Sequence, residues 1–283
     1  MTLARSAEQT TGFSEGGQAD DTHVQSARVT ANIVETIEPA LGAHCKRVAM
    51  LAKIIGAKMG LGRQELVNLE IAGLLHDMGK LSIPPQFKDV PFARLDEHVA
   101  EEVNVHTVFT RSLLAFCPAY SEAGVIIRSH LEHLDGTGHP DGLAEENIPV
   151  GSKILGVANA FDELIQHRFF TLEVFTSETM KEVFAFSHLK KYAGKHFDRG
   201  IVEILEKEVV GTIHDTRVES VTVERLEVGM ITSTDIVTKD GELLIAAGVM
   251  LNQPQLLRIR TYYNLGMLGR NVSVSVQKAV KFK

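Results

Sequence analysis

The chain is poor in the residues that cross-link exported proteins. It has two cysteines, Cys45 and Cys117, among 283 residues. They form neither a disulfide framework nor a CxxC pair, and the N-terminus carries no signal-peptide core. This pattern is typical of proteins from a reducing compartment, so we expect a cytoplasmic location.

Long apolar runs are also missing. The longest, residues 243–251, contains a glycine and is far shorter than the roughly 20 residues that a membrane helix needs. We therefore expect no membrane span. The hydrophobic fraction of 44% is ordinary for a globular protein, so a sizeable core can form.

An excess of positive charge is absent as well. The formal net charge is −7 at pH 7, which argues against DNA or another general nucleic-acid partner. An acidic body can still bind an anionic substrate where metals or local cations reverse the field.

The periodicity of apolar residues divides the chain into three parts. Residues 1–27 are rich in Gly, Gln, Ser, Thr and Asp, and we expect a flexible tail or, equally, the stub of a linker to an upstream domain. Residues 28–212 show helical periodicity, with Asp198 placed as an N-cap. Residues 213–283 alternate and contain a hairpin signal at 239–242. The predicted fold class is mainly α, with a small β-rich C-terminal accessory domain.

The densest chemical motif is His76-Asp77-Met78-Gly79-Lys80, which closes an apolar helix. An adjacent imidazole and carboxylate can bind a metal together, and the carboxylate can bridge two metals. Lys80 lies one turn after His76, so its ammonium can reach a phosphate held there. An ordinary helix C-terminus also favours His and Lys because of the helix dipole. The motif alone is therefore compatible with a metal site and with a simple helix end.

Three further histidines favour the metal. His44, His106 and His130 each lie at the boundary of an apolar run on a different predicted helix. Helix bundles build metal sites from side chains on facing helices. Four unrelated core histidines would instead need four separate hydrogen-bond partners, and we predict one shared site.

These motifs resemble, in order, those of the HD superfamily and specifically its HD-GYP branch. His76-Asp77 is similar to the namesake doublet, and residues 129–140 resemble the HHExxDGxGYP signature. Residues 154–158, 161–164 and 196–198 resemble later family motifs. The resemblance extends over about residues 40–205.

The resemblance implies an HD-type helical bundle and metal-dependent hydrolysis of cyclic di-GMP in bacterial signalling. It implies a centre of two or three metals, often iron or manganese, and with the departures described below we expect two divalent metals, Fe or Mn. The implied residues are as follows: metal ligands His44, His76, Asp77, His106, His130 and Asn159; catalytic residues Asp77 and Lys80; substrate-binding residues Lys80, Gly136, Gly138, His139, Pro140 and Arg168.

Three positions depart from the family pattern. Leu131 stands for the second histidine of the signature, His139 for its tyrosine, and Asn159 for a ligating aspartate. His133, one turn after His130, is a candidate substitute for the lost ligand. The alternative hypothesis is therefore a degenerate domain that binds nucleotide or protein without turnover. Diguanylate cyclase domains and a second copy of the chain are possible partners.

Overall fold

A computed structural model describes residues 15–84, 105–166, 178–213, 216–247, 249 and 251–277. These residues form nine α-helices: α1 Glu15–Ile37, α2 Pro39–Lys58, α3 Arg63–Leu75, α4 His106–Leu114, α5 Ser121–Arg128, α6 Val150–Ile165, α7 Glu178–Tyr192, α8 Arg199–Ile213 and α9 Gln253–Asn264. The mainly α fold class is confirmed. Within this part of the chain, no helix has the length and apolarity that a membrane crossing requires.

The expected flexible tail is wrong for residues 15–27, which belong to α1. Val24, Ala27, Ala31 and Val34 are buried at helical spacing. Small apolar residues therefore provide a packing face that the polar composition of the segment concealed.

Other predicted helices agree with the structure in place but not in their ends. The helix expected to reach residue 133 ends at Arg128, and the one expected at 172–186 is observed as α7, with residues 172–177 outside the described part. Residues 97–104 of another predicted helix also lie outside it. Asp198 does cap α8, since its Oδ1 accepts from the amide of Ile201 at 3.1 Å.

Helices α2 and α3 pack closely because Gly73 has no side chain. A Cβ atom at this position would lie 2.4 Å from the Cα atom of Ala49. The apolar faces of both helices join the main core, which also contains residues of α1, α5, α6, α7 and α8. The close approach brings His44 in α2 near the C-terminal end of α3, where His76 follows.

Two more glycines bring the remaining site segments together. A Cβ atom on Gly79 would lie 2.3 Å from the carbonyl oxygen of His106, and one on Gly156 would lie 2.6 Å from that of His130. Thr110 reinforces the first approach, because its hydroxyl accepts from the Gly79 amide at 2.9 Å. The start of α4 and the segment after α5 are thus held against the site.

The C-terminal segment forms a small sheet with its own apolar cluster. Strands β1 Thr216–Thr222, β5 Asn271–Gln277 and β2 Ile231–Thr232 pair antiparallel in that order, and β3 Ile236–Val237 forms a hairpin with β4 Leu243–Ile245. The predicted hairpin, the helix opened by Pro254 and the last strand are confirmed. The cluster packs beneath α9 and includes one residue of the helical body, Ala43.

Polar contacts also join this segment to α1 and α2. Asn252 Nδ2 lies 3.4 Å from Asn32 Oδ1, Gln255 donates to the buried Glu35, and Arg47 donates to the carbonyl of Ala247. Residues 216–277 are called the C-terminal module below. Its independence as a domain, with a boundary near residue 213, stays a prediction.

Candidate metal centre

Six polar side chains from five segments meet inside the helical body. They are His44 in α2, His76 and Asp77 after α3, His106 at the start of α4, His130 after α5, and Asn159 in α6. None is more than 5% exposed. The structure thus brings together the six residues that the sequence singled out as candidate ligands.

Asp77 lies at the middle of this group. Its Oδ2 is 3.4 Å from Nε2 of His44, and its Oδ1 is 3.1 Å from Nε2 of His106 and 3.5 Å from Nε2 of His76. Two triads of potential ligand atoms result: His44, His76 and Asp77, and Asp77, His106 and His130. Because Asp77 belongs to both, it can bridge two ions.

The hydrogen bonds of three imidazoles define which nitrogen faces Asp77. Nδ1 of His76 lies 2.9 Å from the Gly73 carbonyl and Nδ1 of His130 lies 2.7 Å from the Ile127 carbonyl. Nδ1 of His44 lies 2.7 Å from Oδ2 of Asp162. Since these oxygens accept, each Nδ1 carries a proton, and each Nε2 of a neutral ring presents a lone pair.

Electrostatics keeps His76 and His130 neutral and Asp77 charged. Burial lowers the pKa of His76 to about 4 and places the pKa of His130 well below its ordinary value. Burial alone would raise the pKa of Asp77, but the ammonium of Lys80 and the hydrogen bond from His106 hold it well below its usual range. At neutral pH the site therefore contains a carboxylate beside the neutral imidazoles of His76 and His130.

This arrangement fits a divalent metal. Nε2 of His44 and Nε2 of His76 are 3.3 Å apart. In the neutral tautomers that carry the proton on Nδ1, two lone pairs face each other there, which is repulsive unless a cation lies between them. Nε2 of His130 is buried and has no hydrogen-bond partner among the described residues. Ligand atoms bound at about 2.1 Å stand roughly 3.0 to 3.4 Å apart, which matches the observed separations.

Asn159 contributes a neutral oxygen beside His76. Its Oδ1 lies 3.3 Å from Nε2 of His76. The side chain is therefore positioned as a ligand would be, although an amide oxygen attracts a cation less strongly than a carboxylate does.

Lys80 reaches the edge of the centre from the 3₁₀ turn Met78–Ser82. Its Nζ is 2.7 Å from Oδ2 of Asp77 and 3.4 Å from Oε1 of Glu163. The side chain is about one fifth exposed and lies between the buried carboxylate of Asp77 and Glu163, which lines the neighbouring pocket. This position suits an ammonium group that meets an incoming phosphate.

The entrance is a pocket of about 120 Å³. It is lined by His130, Leu131, Glu132, His133, Leu134, Ile148, Ser152, Lys153, Gly156, Asn159, Ala160, Glu163, His196, Phe197 and Asp198. Leu131 presents an apolar surface where the HD-GYP signature has a second histidine.

The loop that follows is held by Glu132, whose role the sequence did not reveal. Its Oε1 accepts from the amide of Asp141 at 2.7 Å and its Oε2 from that of Leu143 at 2.9 Å. The predicted substrate residues Gly136, Gly138, His139 and Pro140 belong to this loop and do not line the pocket described above. Their contact with substrate stays a prediction, and Arg168 lies outside the described residues.

His133 does not replace the missing ligand. Its ring stacks on that of His196, with centroids 3.9 Å apart and planes within 1° of parallel, and its Nδ1 contacts Thr137 Oγ1 at 3.0 Å. Burial and His196 lower its pKa to about 4. Its ligand atom lies within 4.8 Å of those of Asp135 and His196, so His133 belongs to a separate, partly exposed cluster and not to the buried centre.

Asp162 and Arg47 support the centre, and sequence reasoning gave neither a role. Arg47 Nε and Nη2 lie 2.6 and 2.9 Å from the two oxygens of Asp162. Burial alone would raise the pKa of Asp162, but Arg47 and His44 hold it far below its ordinary value. The sequence does contain one indication of a role for Asp162. The spacing of Asn159, Asp162 and Glu163 puts three polar groups on one face of an apolar helix.

Comparison with known proteins agrees with this geometry. The profile of the HD domain family matches residues 28–201. The 3'3'-cGAMP-specific phosphodiesterase 2 of Vibrio cholerae is 30% identical over 182 residues, 62% of this chain and 33% of the relative. The cyclic di-GMP phosphodiesterase response regulator RpfG of Xanthomonas campestris pv. campestris is 30% identical over 177 residues, 62% of this chain and 45% of the relative. The chain thus spans less than half the length of these relatives.

A solved structure shares the fold. The HDG"Y"P protein Bd1817 from Bdellovibrio bacteriovorus superposes with a TM-score of 0.51 at 20% identity, covering 69% of this chain and 64% of that chain. The matched profile includes every residue of the two triads. On the profile match, the chain belongs to the HD domain family.

Proposed function

We propose that this chain is a metal-dependent phosphodiesterase that hydrolyses cyclic di-GMP. The observation that carries the proposal is the set of three buried imidazoles that donate Nδ1–H outward and turn Nε2 toward one buried carboxylate, Asp77. An electron-rich, dehydrated cluster of this kind is suited to binding cations. The names of the relatives support the substrate class.

The proposed ligands divide between two cations. His44, His76 and Asn159 surround one side of Asp77, and His106 and His130 surround the other. Bound there, two divalent ions would supply hydroxide from water at neutral pH and accept charge from the phosphate. We propose Fe or Mn, because mixed imidazole and carboxylate donors suit both.

The chain's own groups prepare the phosphate for attack. Lys80 adds a positive charge at the entrance, where it can neutralise charge developing on a non-bridging phosphate oxygen. Glu163 orients the same ammonium from the opposite side. Asp77 remains a carboxylate, so it can contact both sets of proposed ligands at once.

The experiment is a turnover assay on protein loaded with Mn²⁺ or, under anaerobic conditions, with Fe²⁺. We expect two metals per chain and conversion of cyclic di-GMP to linear product or GMP. 3'3'-cGAMP is assayed in parallel, because one relative is named for it. Faster turnover of 3'3'-cGAMP would replace the proposed substrate but retain the reaction class.

Leu131 and Asn159 favour a second candidate function, a nucleotide-binding or protein-binding domain without turnover. Leu131 offers no donor, and Asn159 offers a neutral oxygen in place of a carboxylate. Both departures weaken binding of the second cation most, because it must overcome repulsion from the first. We expect slow hydrolysis by the natural sequence. Restoring the family residues with Asn159→Asp and Leu131→His should raise metal occupancy and rate together.

The outcomes separate the two functions. No turnover by the natural sequence at full metal occupancy, with cyclic di-GMP still bound, would establish the binding domain. In that case a search for protein partners, including diguanylate cyclase domains and a second copy of the chain, becomes the next measurement.

A further inference from the structure

Arg47 is hydrogen-bonded both to the support of the metal centre and to the C-terminal module. It lies in α2, three residues after His44. Its guanidinium contacts both oxygens of Asp162 and donates through Nη1 to the carbonyl oxygen of Ala247 at 2.8 Å. The side chain is only 11% exposed, so the contacts are shielded from water.

Asp162 in turn contacts the candidate ligand His44. Its Oδ2 lies 2.7 Å from Nδ1 of His44, and both side chains are buried. A carboxylate in this position fixes the ring orientation and the tautomer that presents Nε2 to a metal. Arg47 in turn occupies both carboxylate oxygens and restricts the rotation of Asp162.

The C-terminal module provides the partner of Arg47 at the other end of this series of hydrogen bonds. Oδ1 of Asp235 accepts from the amide of Ala247 at 2.7 Å, which fixes the peptide segment whose carbonyl Arg47 uses. Ala43, one residue before His44, is buried in the module's apolar cluster. The same short stretch of α2 therefore contacts both the metal centre and the module.

We propose that Arg47 is a positioning residue of the metal centre and that docking of the C-terminal module raises the centre's affinity for metal. The path is Ala247, Arg47, Asp162 and His44. This inference rests on the proposed metal centre but not on any particular substrate, so it is tested by metal binding rather than by turnover.

The first test compares two arginine variants of the full chain. Arg47→Lys keeps the charge but loses the forked contact with Asp162. Arg28→Lys is the matched control, because Arg28 also contacts a carboxylate, that of Glu70, through two nitrogens, and the pair includes no candidate ligand. Mn²⁺ affinity is measured by competition with a fluorescent chelator, and the melting temperature of each metal-free variant is recorded.

We expect Arg47→Lys to weaken Mn²⁺ binding about 10-fold to 100-fold, as is usual when a supporting partner of a ligand is altered. Arg28→Lys should leave the affinity within about 3-fold of the natural chain. Equal affinities for the two variants overturn the role of Arg47. Failure of the natural chain to bind Mn²⁺ or Fe²⁺ instead overturns the metal centre itself.

The second test concerns the module. Asp235→Ala frees the Ala247 segment without touching the helical body, and Asp240→Ala in the exposed β3–β4 turn is its control. We expect weaker Mn²⁺ binding only in Asp235→Ala. Since linkage is reciprocal, Mn²⁺ should also slow amide hydrogen exchange at Ala247 and Leu251 in the natural chain.

These readouts remain decisive if Arg47→Lys does not fold. Natural affinity in Asp235→Ala, together with Mn²⁺-independent exchange at Ala247 and Leu251, would show that the module has no part in the centre. Slower exchange at Ala247 with no change at Ser220 in the β1–β5 pairing would support the proposal.

Discussion

Asp77 is the side chain on which both halves of the proposed centre depend. Asp77→Ala removes a donor from both triads, so we expect loss of bound metal and of cyclic di-GMP hydrolysis. Lys80→Ala leaves the donors in place and should retain metal. Its turnover should fall about 100-fold to 1,000-fold, the usual effect of removing one charge-stabilising donor.

Metal analysis and turnover of both variants check this prediction. Lys58→Ala is a suitable control, because Lys58 is an exposed lysine paired with Glu208 far along the chain. Equal metal loss in Asp77→Ala and Lys80→Ala would contradict the separate roles.

His76 gives the metal-free chain a pH-dependent stability. An unfolded histidine has a pKa near 6.5, whereas burial lowers the pKa of folded His76 to about 4. Between these values the unfolded state binds more protons, so the free energy of unfolding falls as pH falls. The loss should begin near pH 6.5 and reach on the order of 3 kcal/mol by pH 4.

Urea denaturation of the metal-free chain between pH 7 and pH 5 measures this slope. His76→Gln lacks the titrating ring and should show a shallower dependence on pH over the same interval. An identical slope in both proteins would assign the effect to other groups.

The four histidines proposed as ligands could be predicted from the sequence because each lies at the boundary of an apolar run. The residues that position these ligands could not be predicted. Arg47 and Asp162 resemble ordinary surface charges in the sequence, and 115 positions separate them. Only the fold reveals that Asp162 and the largely covered side chain of Arg47 lie beside His44, and only the side-chain rotamer shows that His133 stacks on His196.

Among the helices, α6 positions two parts of the site at once. It carries Asn159, and Gly156 on the same helix lets the backbone at His130 approach. Gly156→Ala would place a methyl group 2.6 Å from the His130 carbonyl oxygen, so α6 must move. We expect a loss of about 1–3 kcal/mol in stability and weaker metal binding.

Chemical denaturation and chelator competition test this variant against Gly269→Ala. A methyl group at position 269 would meet no atom within 4 Å beyond its own chain neighbours, so the control should behave as the natural chain does. Lower stability with unchanged metal affinity in Gly156→Ala would mean that the helix shift does not reach the ligands.

Element ends were harder to predict than element types. Helix α5 stops at Arg128, five residues before the predicted end, because His130 must leave the helix to point into the centre. The start of α1 was missed because its buried residues are mostly alanine and valine on an otherwise polar helix. The β-hairpin was predictable since Asp240-Gly241 suits a tight turn, and Gly241 indeed has a φ of 86°.

For the molecule as a whole, the predicted boundary near residue 213 can be tested by limited proteolysis of the full chain. We expect cleavage between residues 208 and 217, leaving a stable helical fragment, because the periodicity changes there. Mass spectrometry identifies the cut, and circular dichroism of the purified fragment measures its helix content. A fragment that unfolds would show that the module completes the core through Ala43 and Glu35.

The sharing of Asp77 between two triads has a consequence for mutational robustness. A substitution at His44 or His106 subtracts a donor from one triad and leaves the other intact. A substitution at Asp77 subtracts from both in a single step. Loss of a single outer donor, such as the changes at Leu131 and Asn159, is therefore expected to weaken the centre in steps. Loss of Asp77 is expected to disable both triads at once.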